Sequence, residues 1–393
     1  MTESLDFSTR AIHAGDEFNL APGVVPPIHQ SSTFKLASAR EGAEFGHTIN
    51  PDRFYTRLGN PTTRQLEAVL ASLECGEAAL AFASGMGAIS AAIFATLGAG
   101  DHAVLGQALY ATTTEVARTL FPRYGIEASF VDATDSEAVR GALRANTRLI
   151  LVETPTNPDL RLVDLDAIAR IGRERGITTM VDSTFASPYN QNPIRHGFDL
   201  VLHSMTKYLG GHSDLTAGAV IGKKPLVEGC WKYLKLFGAC LSPFEAWLLL
   251  RGIKTLSVRV ERQNSTALEL ARFLANHRGV ERVHYPGLAD HPGHALAKRQ
   301  MRGFGGMVAF ELKGGVPAGI RMAESVRLVT LAVSLGGTES LITHPASMIQ
   351  GNLPEEALRA AGVSPGLMRL SVGLEAPRDL IADLEQAIAQ AIG

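Results

Sequence analysis

Cysteine is scarce in this chain: Cys75, Cys230 and Cys240 are the only three in 393 residues, odd in number and widely spaced. That excludes a disulfide framework and a cysteine-based zinc motif, and it fits a reducing compartment. Net charge is scarce as well, with 37 Lys and Arg against 39 Asp and Glu and a formal balance of -2. No electrostatic case remains for binding nucleic acid or an anionic membrane. No uninterrupted apolar run reaches the ~20 residues needed to span a bilayer. The polar start, Met1-Thr2-Glu3-Ser4-Leu5-Asp6, lacks the apolar core of a secretion signal. Internal repeats and low-complexity segments are missing too. What is present is a chain that is 46% hydrophobic, ample for a large core and too long for one ordinary domain. Two domains and a cytoplasmic location are expected.

Pro22, Pro26, Pro27 and Pro51 break any long helix near the N-terminus, and residues 1–58 read as irregular. The same stretch carries Ile12, Val24, Val25, Ile28, Phe34, Phe45 and Phe54, too much apolar surface for a solvated tail. It is read as an arm that packs on a partner subunit, with packing on its own domain the alternative. Beyond it strands and helices alternate. Helices are expected at 62–73, from the Ser84-Gly85-Met86-Gly87 turn to near Gly98, and at 113–121, 135–143 and 165–175. Strands are expected at 78–82, 102–105, 128–131, 149–152, 178–182, 198–202 and 219–222. Near-continuous apolar strands between helices indicate an α/β fold with a mainly parallel sheet covered on both faces. This is the large domain, residues 59–256. A helical stretch at 243–277 leads into a C-terminal domain, residues 257–393, with strands at 307–312, 328–333 and 368–372 and a last helix at 380–392.

Ligands of such sheets bind outside the strand carboxyl ends. Ser84, Tyr110, Glu153, Asp182 and Lys207 all fall just after expected strands, and their side chains suit a single chemistry. A neutral lysine amine holds an aldehyde cofactor as a Schiff base. Ser204 and Thr206, in the stretch from His203 to His212, are placed to donate to a phosphate beside it. The Gly85 turn opens a helix, whose first N–H groups and dipole attract an anion. Asp182 either keeps a pyridine nitrogen protonated or caps a loop. Tyr110 lies over a ring or half inside a core. Arg369, inside the strand-like run Leu367 to Val372, either captures a carboxylate with its planar fork or makes a structural ion pair.

Together these residues resemble the pyridoxal-phosphate enzymes of cysteine and methionine metabolism, the trans-sulfuration family. The likeness runs in order over nearly the whole chain, through Arg53-Phe54-Tyr55-Thr56-Arg57, Gly59-Asn60-Pro61-Thr62, Ala83-Ser84-Gly85-Met86 and Glu153-Thr154-Pro155-Thr156-Asn157-Pro158. It continues through Val181-Asp182-Ser183-Thr184, Ser204 to His212, Leu241-Ser242-Pro243, Arg251 to Thr255 and Arg369-Leu370-Ser371-Val372-Gly373. The resemblance implies the aspartate-aminotransferase-like fold type I: a mostly parallel seven-stranded sheet with helices on both faces, plus a smaller C-terminal α+β domain. It implies pyridoxal 5'-phosphate held covalently on Lys207, with Asp182 on the ring nitrogen and Asn157 by the ring hydroxyl. Gly85, Met86, Ser204 and Thr206 would hold the phosphate, joined by Tyr55 and Arg57 from the neighbouring subunit. Tyr110 would stack on the ring and protonate the departing group. Ser334 and Arg369 would receive the substrate's amino-acid end, with Tyr55 and Thr112 also facing the substrate. The family is typically a homotetramer, a dimer of dimers that share active sites, acting on small amino acids.

Within the family, cystathionine γ-lyases carry an acidic residue before the arm tyrosine, an arginine shortly after the stacking tyrosine and a Glu before the serine of the Ser-Leu-Gly segment. Phe54, Glu115 and Val333 stand there in this chain. Apolar Phe54 and Val333 suit a thioether, as in methionine γ-lyase. That enzyme has a cysteine where Thr112 stands and Lys-Asp where Lys235-Leu236 stand. The expected activity is γ-elimination from methionine or a similar γ-substituted amino acid, giving a 2-oxo acid and ammonia. The alternatives are a γ-replacing transferase (cystathionine γ-synthase or an O-acylhomoserine sulfhydrylase), cystathionine γ-lyase, or a fold relative that binds without catalysis. Intact Lys207, Asp182 and Arg369 speak against the last.

Overall fold

The computed structural model describes residues 5–19, 21–349 and 363–393. The chain divides into two compact units, residues 1–154 with 163–257 and residues 155–162 with 258–393.

The first unit opens with α1 (Phe7–His13), α2 (Ala39–His47) and α3 (Pro61–Glu74). An irregular N-terminal stretch is therefore corrected: the four prolines all fall outside α1 and α2. Ser38 starts α2 by accepting from the Glu41 N–H at 3.1 Å. Asn60 does the same for α3, accepting from the Thr62 N–H at 2.9 Å with Pro61 at the first helical position. Then follow β1 (Ala78–Phe82), α4 (Gly85–Thr96), β2 (His102–Gly106), α5 (Ala111–Thr119), β3 (Glu127–Val131), α6 (Ser136–Gly141) and β4 (Thr147–Glu153). After them come α7 (Leu165–Arg175), β5 (Thr178–Asp182), α8 (Ser187–Asn190), β6 (Leu200–Ser204), β7 (Gly218–Gly222), α9 (Lys224–Phe237) and α10 (Pro243–Ile253).

Seven strands form one sheet in the order β1-β7-β6-β5-β4-β2-β3. β7 runs antiparallel to both its neighbours, and the remaining pairs are parallel. The carboxyl ends of the other six strands therefore share one edge of the sheet. Alternate residues go to opposite faces. Leu105, Leu151, Met180 and Leu202 join the core with Ile89 and Ile93 of α4 and Trp231 and Leu234 of α9. Val104, Ile150, Val181 and Val201 join the other core, with Ile168 and Ile171 of α7. The parallel sheet covered on both faces is thus the fold type I architecture expected.

Most element ends shift by one to three residues from expectation, and three differences have a visible cause. β6 begins at Leu200 rather than 198, because the Phe198 N–H closes the preceding turn onto the Pro193 carbonyl at 3.2 Å. The helix expected over 243–277 is broken after Ile253. There Gly252 lies so close to the Gly210 carbonyl that a Cβ would stand 2.4 Å from that oxygen. α9 carries Val227, Cys230, Trp231 and Leu234 buried at helical spacing. That stripe is readable in the sequence, yet no helix was expected there.

The second unit contains α11 (Leu256–Ala275) from Val258 onward, β8 (Val280–His284), α12 (His294–Gln300), β9 (Met307–Leu312), α13 (Gly315–Ser325), β10 (Thr330–Leu331), β11 (Leu341–Thr343), α14 (Pro345–Met348), β12 (Leu367–Ser371) and α15 (Pro377–Ile392). Its sheet runs β10-β11-β12-β9-β8. The core packs Phe310, Met368 and Leu370 with Leu270, Leu274, Leu380, Leu384 and Ile388. The strand expected over 328–333 shrinks to two residues. The N–H groups of Arg327, Leu328 and Val329 go instead to the Asp383 carboxylate, at 2.8, 2.9 and 2.8 Å.

Candidate active site

The strand-end residues of the first unit gather on that shared edge. Asp182 ends β5, Glu153 ends β4 at the paired position, and Leu202 of β6 stands opposite Asp182 on the other side. Lys207 follows β6 by three residues. It sits half-buried in a tight loop, its N–H donating to the Ser204 carbonyl at 3.2 Å and its carbonyl accepting from Gly211 at 2.8 Å. Lys207 and Asp182 thus emerge from adjacent parallel strands.

Asp182 is only 8% exposed. Burial raises its pKa, while two hydrogen bonds from Thr184 and the charge of His203 act in the opposite direction. The Thr184 N–H donates to Asp182 Oδ1 at 3.0 Å, and the Thr184 hydroxyl oxygen accepts from the Ser204 N–H at 2.9 Å. One threonine therefore ties the acid to the strand that carries the lysine. Sequence alone assigned neither Thr184 nor His203 this role, although both lie within the motifs around Asp182 and Lys207.

The anion cradle is built by close approach. Ser84 starts α4, its hydroxyl oxygen accepting from Gly87 at 3.0 Å. The N–H groups of Gly85 and Met86 are the first two of a 12-residue helix, so neither has a partner within it. Any Cβ on Gly85 would stand 3.0 Å from Ser204 Cβ and 3.2 Å from Ser204 Oγ. The serine hydroxyl therefore lies against the helix start, beside its free N–H groups. Gly218 closes the same corner, since its Cβ would stand 2.1 Å from the Ser84 carbonyl oxygen. Thr206 also closes the loop between β6 and β7. Its hydroxyl donates to the Ala217 carbonyl at 3.3 Å and accepts from the Ala217 N–H at 3.0 Å.

Tyr110 precedes α5 with its ring exposed, its N–H donating to Glu153 Oε2 at 2.7 Å. Thr112 is half-buried in the first turn of α5. Tyr55 is exposed, with the Arg57 guanidinium 5.4 Å from its ring centre. Arg57 is held at the C-terminal end of α9 by the Lys235 carbonyl at 2.7 Å.

Asn157, Ser334 and Arg369 belong to the second unit. Arg369 is 5% exposed in β12. It donates to Asn157 Oδ1 at 2.9 Å, the Ser334 carbonyl at 3.2 Å and the Thr343 hydroxyl oxygen at 3.4 Å. These three acceptors fix the position of the guanidinium. Ser334 has φ +87°, a left-handed conformation rarely taken by residues other than glycine.

This donor set suits pyridoxal phosphate. The cradle at Gly85, Met86 and Ser204 offers N–H and O–H donors to a phosphate, and a buried acid calls for a protonated ring nitrogen. Among the described residues no group of three or more His, Cys, Asp or Glu is placed to hold a metal ion, and no helix is long and apolar enough to cross a membrane.

Sheet order, helix cradle and buried acid define the class, a pyridoxal-phosphate-dependent enzyme of fold type I. Within it, the chain belongs to the Cys/Met metabolism PLP-dependent enzyme family, whose model matches residues 8–389. It is 46% identical to L-methionine gamma-lyase of Fusobacterium nucleatum subsp. polymorphum over 391 residues, covering 98% of this chain and 99% of that protein. Identity to L-methionine gamma-lyase of Pseudomonas putida is also 46%, over 385 residues and 97% of each chain. Cystathionine lyases are among the further relatives. The crystal structure of metB from Corynebacterium glutamicum superposes with a TM-score of 0.92 at 39% identity, covering 99% of both chains.

Proposed function

We propose that this chain is a carbon–sulfur lyase that removes the γ-substituent of methionine or a similar amino acid, releasing a 2-oxo acid and ammonia. The observation that carries this reading is the identity of 46% to methionine γ-lyases along essentially the whole chain. Bound pyridoxal phosphate supplies an aldehyde for the substrate amine and a ring that delocalises charge from Cα. Lys207 Nζ would hold that aldehyde covalently and, once released, carry protons at the substrate carbons. Asp182 keeps the ring nitrogen protonated. Gly85, Met86, Ser204 and Thr206 would hold the phosphate, Thr206 from the loop it also closes. Tyr110 covers the ring and delivers a proton to the leaving group. Arg369 and Ser334 would receive the substrate carboxylate, and Asn157, which accepts from Arg369 through Oδ1, would serve the ring hydroxyl.

Residues 1–58 act as an arm, and Tyr55 and Arg57 complete a neighbouring subunit's phosphate site in a homotetramer of two such dimers in the cytoplasm. Val24 is 93% and Val25 60% exposed in the single chain, apolar surface that a partner would cover. Cystathionine lyases among the relatives, with Thr112 and Leu236 at the two departures noted above, support a second reading as a cystathionine lyase or γ-replacing transferase. Purified enzyme with methionine alone is expected to give 2-oxobutyrate and a volatile thiol. Thioether formed only from an activated homoserine plus thiol would move the assignment to the transferases. Lys207→Ala is expected to lose the visible absorbance of the bound cofactor together with turnover, and full activity in that variant would reject the assignment.

A further inference from the structure

The chain has only two tryptophans, and each directs its single N–H to the backbone of the N-terminal arm. Trp231, buried in α9, donates from Nε1 to the Leu58 carbonyl at 2.7 Å. Trp247, in α10, donates to the Pro26 carbonyl at 3.0 Å. Between these anchors the arm is closed on itself. The N–H groups of Leu58 and Gly59 return to the Tyr55 carbonyl at 2.8 and 3.3 Å, and the Thr56 N–H reaches the Ser32 carbonyl at 2.9 Å. Tyr55 also bridges to Thr33, antiparallel. Asn60 donates to the His29 carbonyl at 2.8 Å and to the Thr56 hydroxyl oxygen at 3.1 Å. The Arg57 guanidinium rests on the Lys235 carbonyl, one turn along α9 from Trp231, so one helix holds both ends of the Arg57–Leu58 step. Leu58, Gly59 and Asn60 are buried, whereas Tyr55 and Arg57 are exposed. Trp231 shares a core with Leu58 and Leu234. A phenylalanine would fill most of that space; what it lacks is the donor.

We infer that Trp231 and Trp247 are positioning residues for the cofactor phosphate: they fasten the arm to the chain's own helices, so that the Tyr55–Leu58 turn presents Tyr55 and Arg57 to the neighbouring subunit in one fixed geometry. Neither indole touches the cofactor in this scheme. A turn fixed in advance loses little conformational freedom when a phosphate engages it, and the gain appears as affinity. The inference rests on the reading in which Tyr55 and Arg57 complete a neighbouring phosphate site, so its test must separate the two.

Apoenzymes are titrated with pyridoxal phosphate and with pyridoxal, which keeps the ring and aldehyde but has no phosphate. Trp231→Phe is expected to raise the dissociation constant for pyridoxal phosphate about tenfold, the size of one hydrogen bond lost at a buried carbonyl. The constant for pyridoxal should stay within about twofold of wild type. Tyr55→Phe/Arg57→Ala, which removes both groups the turn presents, is expected to weaken pyridoxal phosphate about 10-fold to 100-fold. Adding Trp231→Phe to that pair should then change the constant by less than about twofold. Equal losses with both ligands, a full further tenfold loss in the triple variant, or an unchanged constant in Trp231→Phe would make the indole a core side chain only and overturn the inference. If Tyr55→Phe/Arg57→Ala itself binds pyridoxal phosphate like wild type, the role of the arm at the phosphate fails, and the inference falls with it. Should Trp231→Phe not fold, Trp247→Phe, at the other anchor, is read in the same way against the same two ligands.

Discussion

Gly218→Ala tests the cradle without touching any donor in it. The new Cβ would stand 2.1 Å from the Ser84 carbonyl oxygen, 2.5 Å from its carbon and 2.8 Å from Gly85 Cα. All three atoms are backbone, so no side chain can swing away. Ordinary contact needs roughly 3.5 Å, and β7 and the start of α4 must part by about 1 Å or more. Overpacking of this kind costs about 1–3 kcal/mol. The Ser84 carbonyl also accepts the Ala88 N–H at 3.1 Å, so the displacement reaches the helix start itself. If the whole of that strain falls on the donors, the dissociation constant for pyridoxal phosphate rises about 5-fold to 150-fold. Gly222→Ala is the matched control. At the opposite end of the same strand its Cβ would meet the Asp199 carbonyl oxygen, also at 2.1 Å, away from the cradle. Because φ is +156° at Gly222, backbone strain adds to the clash, so the variant should lower thermal stability at least as much and leave cofactor affinity within about twofold. Cofactor titration by fluorescence on both apoenzymes, with melting curves alongside, decides the matter. Equal effects on affinity, or none at Gly218, would refute the cradle.

Asp182→Asn should stabilise the apoprotein at pH 8 while destroying activity. The folded pKa of Asp182 is raised by burial, so its cost to stability is absent below the unfolded value, grows as pH rises and is fully present above the folded value; urea unfolding of both apoproteins measures the difference. Glu67 is the corresponding case away from the chemistry: burial lifts its pKa from 4.5 to about 7, against hydrogen bonds from the Ala81 N–H and Asn50. Stability should therefore fall by about 3 kcal/mol between pH 4.5 and 7 on its account; Glu67→Gln should flatten that part of the profile, and an unchanged slope would contradict the assignment. Arg369→Lys should raise KM for the amino acid about 10-fold to 100-fold with a smaller change in kcat, because a lysine cannot bridge the Asn157, Ser334 and Thr343 acceptors. Steady-state kinetics separate the two constants.

Legibility followed the range of the interactions. Residues 78–82, 165–175 and 178–182 matched the observed elements to the residue, because each is a local apolar pattern that its own burial satisfies. β8, Val-Glu-Arg-Val-His, has too much charge to read as a strand, and the three residues of β11 are too few to show a period. Asp182 and Lys207 stood out because strand ends are visible in sequence. The partners of the charged groups did not. Glu74 meets His203 across 129 positions, and Asn157 meets Arg369 across 212. Nothing in a local pattern links residues so far apart, and only the folded chain brings them together.

The same reasoning explains why substrate choice is harder to read than chemistry. Lys207, Asp182 and Arg369 sit where strands and a tight loop fix them, so the roles proposed for them draw on positions that the fold sets. The residues that distinguish one family member from another lie elsewhere. Leu236 is 64% and Val333 61% exposed in the single chain, while Phe54 leans on Phe45 with ring centres 6.3 Å apart in the proposed arm. An exposed leucine or valine defines no pocket until another surface covers it. If the neighbouring subunit supplies that surface, substitutions at Leu236 and Val333 should change the ratio of kcat/KM between methionine and cystathionine and leave cofactor binding intact. Loss of cofactor from either variant would place these side chains in the cofactor site and remove that distinction.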